Sequence, residues 1–407
     1  IPHKDNRISH ILNQIEVLYV DSIDRESLID VAVQSIVQEL DPHTNYFSSE
    51  EILANTVLME GNFEGIGVEF IIRDDTLMVV NAIPGGPSES SGIKAGDRIV
   101  EVEGESISGP DLTNDRVMKL LKGPRGTQVD LGITRNSNVL GDKDTPLEDV
   151  FNVTIERARI PVHSVVASFV LENTVGYLKV IRFSATTAIE FEQSMNDLAT
   201  QGATSVIVDL RGNGGGYLRS ATDMLDRFLD EGLGIVYTEG KASPRIDYNS
   251  TYHGEYSSWP IAVLIDENSA SASEIFAGAL QDNDRGLIVG RRSFGKGLVQ
   301  EEFTVPNALS GAGALRLTVA RFYTPSGRAI QKPYGEGVNY ANDYQDRIAS
   351  GELFLEDSIQ LADTVAYRTL LGRKVYGGGG ITPDVFIPLD STQSNRALAE
   401  LVWTGAL

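Results

Sequence analysis

The chain has 407 residues and a hydrophobic content of 41%, which is enough for two to three domains with cores of their own. Its 57 acidic residues exceed the 34 basic ones and give a formal net charge of −23 at pH 7. Because such a surface repels phosphate backbones, we expect no nucleic acid among its partners. The absence of cysteine excludes a thiol nucleophile, a disulfide framework and a cysteine-ligated zinc.

Residues 1–60 are predicted to form an N-terminal helical segment. Apolar residues recur there at spacings of three and four, as at Ile8, Ile11, Leu12, Ile15 and Leu18. A second stretch has the same pattern and ends at Asp41-Pro42-His43-Thr44, since proline disfavours a helical conformation in the residue before it.

Residues 61–157 have a different texture, with short apolar runs separated by tight turns. One amphipathic helix, which includes Val117 and Leu121, is predicted to end at Gly123-Pro124. This pattern predicts a small β-rich domain.

Residues 158–390 alternate continuous apolar runs with helical patterns. The runs at 206–210, 261–265 and 287–289 are typical of buried strands, and helices are predicted at 218–229 and 275–280. Strands of this kind followed by helices indicate a largely parallel sheet covered by helices. Residues 391–407 are predicted to be a peripheral C-terminal tail.

A serine-rich block and a lysine between glycines are the most informative features. The block is Ser269-Ala270-Ser271-Ala272-Ser273-Glu274, and Lys296 follows Ser271 by 25 positions. A serine needs an adjacent base to attack a carbonyl, and lysine can be that base if burial keeps it neutral. Lowering the pKa of a lysine to near 7 costs roughly 4 kcal/mol. The pair therefore indicates acyl transfer and favours peptide hydrolysis as the reaction.

Two further features fit this chemistry. Gln300 is four residues beyond Lys296 on a predicted strand, so it projects from the same face and can orient the amine. The loop Arg211-Gly212-Asn213-Gly214-Gly215-Gly216 has backbone N–H groups that can stabilise an oxyanion together with the N–H of Ala272.

Each feature also has a simpler interpretation. Ser271 to Glu274 fits the S-x-x-E capping box of a helix start, and glycine loops also connect strands to helices or bind phosphates. Residues 290–296 match part of a P-loop, but Gly297 replaces the Ser/Thr that binds magnesium and a strand pattern follows. The five histidines show no metal-ligand spacing, and a serine–lysine mechanism needs neither a metal nor another cofactor, so we expect none.

Taken together, these segments resemble the carboxyl-terminal processing peptidases, also called tail-specific proteases. Besides the serine block, Gly295-Lys296-Gly297 and Gln300, the matching segments are Leu40-Asp41-Pro42-His43-Thr44, Gly65-Ile66-Gly67-Val68, Lys94-Ala95-Gly96-Asp97-Arg98-Ile99, Lys122-Gly123-Pro124-Arg125-Gly126-Thr127, Asp209-Leu210 with the glycine loop, Thr324-Pro325-Ser326-Gly327-Arg328 and Gly378-Gly379-Gly380-Ile381-Thr382-Pro383-Asp384.

The resemblance implies roles for the residues named above. Ser271 is the implied nucleophile, Lys296 the general base and Gln300 its supporting partner. The implied oxyanion donors are the N–H of Ala272 and that of Gly214 or Gly215. The implied fold is an α/β protease core with a crotonase/ClpP-like sheet and helices, preceded by the helical segment and carrying an inserted PDZ domain.

The implied PDZ domain occupies residues 61–157. Such domains capture a free C-terminus by adding it as a strand beside a sheet edge. The N–H groups of Ile66, Gly67 and Val68 are expected to hold the terminal carboxylate, and Val117 and Leu121 to line a groove for an apolar terminal side chain.

The expected function is that of a serine endopeptidase that recognises the C-terminal tails of proteins and cleaves near them. Its expected partners are proteins or peptides with free apolar C-termini, while a homodimer and an adaptor or activator remain open. The resemblance also implies export to the bacterial cell envelope or periplasm. Two rival hypotheses are a PDZ binding protein with a degenerate protease domain and an acyl-CoA hydratase-like enzyme.

Overall fold

The computed structural model describes residues 7–47, 59–135, 150–172, 174–305, 313–335, 337–360 and 363–390. They belong to two compact units, one of Glu60–His163 and a larger one of Ile1–Met59 with Ser164–Leu407. The predicted C-terminal tail at 391–407 lies outside the described residues.

The helices and strands in chain order are α1 (Arg7–Leu18), α2 (Arg25–Gln38), β1 (Asn45–Phe47), β2 (Asn62–Gly65), β3 (Val68–Arg73), β4 (Thr76–Ala82), α3 (Pro87–Ser90), β5 (Arg98–Val102), β6 (Glu105–Ser106), α4 (Asn114–Leu121), β7 (Gln128–Thr134), β8 (Val150–Glu156), β9 (Ala158–Pro161), β10 (Val165–Leu171), β11 (Val175–Val180), α5 (Thr187–Thr200), β12 (Ser205–Asp209), α6 (Leu218–Leu225), β13 (Gly234–Glu239), β14 (Ile246–Asn249), β15 (Ile261–Ile265), α7 (Ala272–Asp282), β16 (Leu287–Gly290), β17 (Leu298–Val305), β18 (Gly313–Tyr323), α8 (Asp343–Ala349), β19 (Ala366–Arg368), β20 (Lys374–Tyr376) and β21 (Val385–Phe386).

The main sheet of the larger unit has the strand order β10-β11-β12-β15-β16-β21. Neighbouring strands run parallel among β11, β12, β15, β16 and β21, and β10 is antiparallel to β11. The parallel arrangement predicted from the apolar runs is thereby confirmed. Since parallel strands end at the same edge, the loops after β12 and β15 are brought together there.

Helices α5, α6 and α7 contribute to the core of this unit. Phe191 of α5, Met224 of α6 and Phe276 of α7 are buried in one cluster with side chains from the sheet strands. Helix α7 is buried along its whole length, from Ala272 to Asp282. A helix that is buried on all sides is held by packing as well as by its own hydrogen bonds, so it offers a rigid mount for the serine block at its start.

A second sheet of the larger unit has the order β1-β18-β13-β14, with β17 also paired to β18. Strand β1 corrects the prediction that all of residues 1–60 are helical. It forms because Asn45–Phe47 pairs antiparallel with β18, a partner that is distant in sequence. The chain before it is helical in α1 and α2, and Asp24 caps α2 by accepting from the N–H groups of Glu26 and Ser27.

The smaller unit is built on a sheet of the order β3-β4-β5-β7-β8, with β3 at one edge. Its core contains Leu77, Ile99, Ile133 and Val117, all fully buried. The unit continues to His163, beyond the predicted boundary at 157, because β9 pairs with β2.

No helix within the described ranges is both long and apolar enough to cross a bilayer.

Candidate active site

Ser271 immediately precedes α7 and has an unusual backbone conformation. Its φ is 55° and its ψ is −113°. Positive φ costs a residue other than glycine on the order of 1–3 kcal/mol, and such strain concentrates at functional sites. Ser271 also adjoins the N–H groups of the first helical turn, which have no intrahelical acceptor and favour negative charge.

The glycine loop after β12 lies against this serine. A Cβ built on Gly215 would fall 2.7 Å from Cβ of Ser271 and 3.0 Å from N of Ala272. The loop is held by Asn213, which is fully buried and whose backbone oxygen accepts from the N–H of Ala270 at 3.0 Å. The predicted oxyanion residues are therefore neighbours of the predicted nucleophile.

The two glycines named as alternative oxyanion donors differ in this structure. The N–H of Gly215 donates to Oδ1 of Asn213 at 2.9 Å. A Cβ on Gly214 would meet nothing within 4 Å, so that residue borders open space. The N–H of Gly215 is committed to an internal hydrogen bond, which favours Gly214 as the second donor.

The base of the glycine loop is anchored at the end of β12. The carboxylate of Asp209 accepts from the backbone N–H of Arg211 at 2.9 Å and from its Nη2 at 2.7 Å. Burial opposes ionisation of this carboxyl, but its hydrogen bonds to Arg211 and Tyr177 prevail and lower its pKa to about 2. The loop therefore begins at a carboxylate that stays charged.

Lys296 and Gln300 are brought together as predicted, since Nζ of Lys296 donates to Oε1 of Gln300 at 3.0 Å. Lys296 lies just before β17 and Gln300 within it, at an irregularity in the pairing with β18. Burial lowers the pKa of Lys296, and the charge of Arg316 lowers it further, against the opposing charges of Asp41 and Glu274. A lowered pKa raises the fraction of neutral amine, which is the form that can accept a proton.

Glu274 links the serine and lysine segments. Its Oε2 accepts from the backbone N–H of Ser271 at 2.8 Å and from that of Lys296 at 2.9 Å. Its Oε1 accepts from the N–H of Gly295 at 2.7 Å and from the hydroxyl of Ser293 at 2.5 Å. The side chain is fully buried, and this burial raises its pKa against the effect of the four donors.

The sequence indicated only part of this role. The S-x-x-E pattern pairs Glu274 with the N–H of Ser271, and that half of the capping box is present. The hydrogen bonds to residues 293–296 had no signal in the sequence, because they depend on where the chain returns after β16.

His43 is a second residue whose place the sequence did not indicate. Its backbone oxygen accepts from Nε2 of Gln300 at 2.5 Å, and its ring Nε2 lies 2.7 Å from the hydroxyl of Tyr340. Burial and the nearby charge of Lys296 lower the pKa of the imidazole to about 4, so it is neutral at physiological pH. The motif Asp41-Pro42-His43-Thr44 was recognised in the sequence, but its position was not.

In the smaller unit, the segment expected to bind a carboxylate leads into the edge strand β3. Gly67 has a φ of 74°, and the carbonyl oxygens of Ile66 and Gly67 accept from the N–H groups of Ser88 and Ile83. Val68 begins β3. The loop is thus fixed through its carbonyl groups at the start of β3. Among the described residues, β3 pairs only with β4, so its outer edge has no partner strand.

The two residues expected to line the peptide groove are buried in the core and do not line an exposed surface. Val117 and Leu121 on α4 are buried in the core of this unit, with exposed fractions of 0% and 4%. They face the sheet because the apolar side of a short amphipathic helix is needed to complete so small a core. Their predicted groove role therefore has no exposed surface in this structure to support it.

Within the ranges that the structure describes, no three His, Asp or Glu side chains are grouped so as to hold a metal ion.

Replacing Gly215 by alanine is expected to disrupt the site. The new Cβ would lie 2.6 Å from O of Ala270, at a residue whose φ is 97°. We expect a loss of about 2–4 kcal/mol in the free energy of unfolding, from the strained φ and the clash together. Peptidase turnover should fall at least about 100-fold, because the serine backbone must shift, and a misplacement of about 1 Å can have that effect.

Gly214→Ala is the matched control for this stability measurement, since its Cβ enters open space. Urea denaturation should show a normal midpoint for Gly214→Ala and a lowered one for Gly215→Ala. Equal midpoints in the two variants would contradict the close packing of Gly215 on Ser271.

Comparison with known proteins finds relatives of this chain among peptidases. Residues 174–340 match the model of peptidase family S41, and residues 65–141 match that of a PDZ domain. The chain is 36% identical over 330 residues to a carboxy-terminal-processing protease of Bartonella bacilliformis, covering 80% of this chain and 72% of that protein. It is 32% identical over 346 residues to the carboxy-terminal processing protease CtpB of Bacillus subtilis, covering 84% and 68%.

Among solved structures, the photosystem II D1 C-terminal processing protease is similar over 94% of this chain and 88% of its own, with 24% identity and a TM-score of 0.45. The two bacterial relatives, both more than 30% identical over most of their length, are sufficient to assign the family. The chain belongs to the carboxy-terminal-processing proteases of peptidase family S41, which makes it a serine-type peptidase with a PDZ domain.

Proposed function

We propose that this peptidase recognises the C-terminal tails of protein substrates through its PDZ domain and cleaves near those termini with Ser271 as nucleophile and Lys296 as general base. One observation carries the proposal: the backbone N–H groups of Ser271 and Lys296 both donate to Oε2 of Glu274. In addition, the amine of Lys296 donates to Gln300. A serine and a lysine with a lowered pKa are then on adjacent segments.

The proposed reaction begins when neutral Lys296 takes the proton of Ser271 as the hydroxyl oxygen attacks the scissile carbonyl. The oxyanion of the tetrahedral intermediate accepts from the N–H of Ala272 and from that of Gly214. Lys296 returns the proton to the leaving amine, and a water molecule then hydrolyses the acyl-enzyme by the same proton transfers in reverse order.

Gln300 supports this cycle through the direction of its hydrogen bond. Its Oε1 can only accept, so it engages one N–H of Lys296. In the neutral amine this leaves the lone pair and one further N–H for Ser271 and the substrate. We therefore propose that Gln300 holds the amine of Lys296 in one orientation.

Tail recognition is proposed for the smaller unit because β3 is an edge strand that follows Gly65-Ile66-Gly67. A peptide can add beside such a strand through main-chain hydrogen bonds, while the N–H groups of Ile66, Gly67 and Val68 bind its carboxylate. For the larger unit, the crotonase/ClpP-like description stays part of the proposal, supported by the parallel strands β11, β12, β15 and β16 and their helices.

The test compares one unstructured polypeptide that has an apolar free C-terminus with its C-terminally amidated twin, using wild type and Ser271→Ala. We expect cleavage of the free form and its loss in Ser271→Ala. Ser273→Ala is the matched control from the same block, because it loses only a hydrogen bond to the backbone of Asn213 and should retain turnover.

Equal cleavage of the free and amidated forms would remove tail recognition from the proposal and keep the protease. Turnover by Ser271→Ala would contradict the nucleophile. Binding of the free form without cleavage by wild type would favour the rival hypothesis of a degenerate protease.

A further inference from the structure

The turn Asp41-Pro42-His43-Thr44, called here the 41–44 turn, contacts Gln300 from a part of the chain 257 residues earlier. Nε2 of Gln300 donates to the backbone oxygen of His43 at 2.5 Å, while Oε1 accepts from Nζ of Lys296 at 3.0 Å. A carboxamide has one accepting and one donating end, so a carbonyl that binds its NH₂ group decides which end faces the lysine.

We propose that the 41–44 turn is a positioning element for the catalytic base, because its His43 carbonyl holds the Gln300 amide with the oxygen facing Lys296. If the amide were reversed, its NH₂ group would oppose the N–H groups of the amine. The inference rests on the proposed Ser271–Lys296 mechanism and extends it to a segment near the start of the chain.

Asp41 gives the turn its shape. Its Oδ1 accepts from the N–H of His43 at 2.8 Å and from that of Thr44 at 2.9 Å, and its Oδ2 accepts from the hydroxyl of Thr44 at 2.5 Å. Aspartate commonly organises turns by accepting from the backbone N–H two residues later. Since Asp41 is also buried, its three hydrogen bonds fix the direction of the His43 carbonyl.

The turn is also tied to the strand opposite Gln300. The hydroxyl oxygen of Thr44 accepts from the N–H of Thr318 at 3.2 Å, and Thr318 is the residue paired with Gln300 across β17 and β18. On its other side, the ring of His43 contacts the hydroxyl of Tyr340. The carbonyl that binds Gln300 is thus located by two independent contacts.

The experiment is a double-mutant cycle between Asp41→Ala and Gln300→Ala, with kcat and KM measured on a tail-bearing peptide. Rates are taken on the alkaline plateau of the pH profile, because the charge of Asp41 affects the pKa of Lys296. We expect Asp41→Ala to lower kcat about tenfold, the size expected for one oriented hydrogen bond to a charged or reacting group, and to leave KM within about twofold. In the Gln300→Ala background the same change should lower kcat by less than about twofold.

Two further variants complete the design. Thr44→Val removes the contacts of the Thr44 hydroxyl to Asp41 and Thr318 without a change of charge, while the backbone N–H of Thr44 still donates to Asp41. It is therefore a milder form of the same test if Asp41→Ala does not fold. Gln34→Ala removes a hydrogen bond to the backbone oxygen of Tyr46, in the strand that follows the turn, and should leave kcat unchanged.

A tenfold loss from Asp41→Ala in both backgrounds would overturn the inference, since the turn would then act through something other than Gln300. Full activity of Gln300→Ala, with Ser271→Ala inactive, would also overturn it and leave the proposed function standing. Activity in Ser271→Ala would instead contradict the proposed function itself.

Discussion

Replacement of Lys296 by methionine is expected to lower kcat for peptide hydrolysis by about 10³-fold or more, the range that general acid–base catalysis supplies. Methionine fills a similar volume but has no proton acceptor of use to Ser271. KM should change little, because in the proposed mechanism the amine acts on the hydroxyl of Ser271 and not on the bulk of the substrate. Full turnover in this variant would contradict the assignment of the base.

A second substitution at the same position separates charge from basicity. Lys296→Arg retains a cation, but the guanidinium stays protonated at every practical pH, so we expect it to be as inactive as the methionine variant. Lys241→Met, at an exposed lysine, is the matched control and should leave kcat unchanged.

The pH profile of the wild-type enzyme checks the same assignment. In the proposed mechanism the amine acts only when deprotonated, so kcat/KM should rise with pH through the pKa of Lys296 and be lost as the pH falls below it. Because burial lowers this pKa from its ordinary value of 10.5, the rise should occur at lower pH than for an exposed lysine. A profile that instead falls with rising pH would oppose a lysine base.

Replacement of Glu274 by alanine is expected to give the largest loss of stability. Four donors would be left without their acceptor in a fully buried place: the backbone N–H groups of Ser271, Gly295 and Lys296 and the hydroxyl of Ser293. Each buried donor left without an acceptor costs about 1–3 kcal/mol, so we expect a loss of at least about 3 kcal/mol in the free energy of unfolding. Urea denaturation should show this loss, while Glu231→Ala, at an exposed glutamate, should stay within about 0.5 kcal/mol of wild type.

The same variant should also lose activity, because one carboxylate fixes the segments of both Ser271 and Lys296. We expect kcat to fall more than about 100-fold even under conditions where the protein remains folded, as judged by its circular dichroism. A Glu274→Ala variant with a wild-type urea midpoint would show that the four donors find other acceptors and that the carboxylate does not organise the site.

Much of the larger unit could be predicted from local patterns. The parallel strands β12, β15 and β16 follow from continuous apolar runs, because a strand buried on both faces needs no polar alternation. The start of α7 follows from the capping pattern at Ser271 to Glu274. In contrast, β1 was missed, since Asn45–Phe47 becomes a strand only through pairing with β18.

The sequence by itself determined the family, the largely parallel arrangement of the main sheet and a short set of candidate residues. Residue type and spacing can be read from the sequence alone. They distinguish a small set of residues from their neighbours: Ser271, Lys296, Gln300 and the glycine loop. It could not choose between the N–H groups of Gly214 and Gly215, because that choice depends on the hydrogen bond to Asn213.

Only the tertiary structure decided how the candidates are held. Glu274 joins two segments that are separated by β16, and the carbonyl of His43 reaches Gln300 across 257 residues. A backbone carbonyl has the same chemistry in every residue, so no sequence pattern marks the one that a distant side chain will bind. The burial of Val117 and Leu121 was decided in the same way, by the size of the core that α4 has to cover.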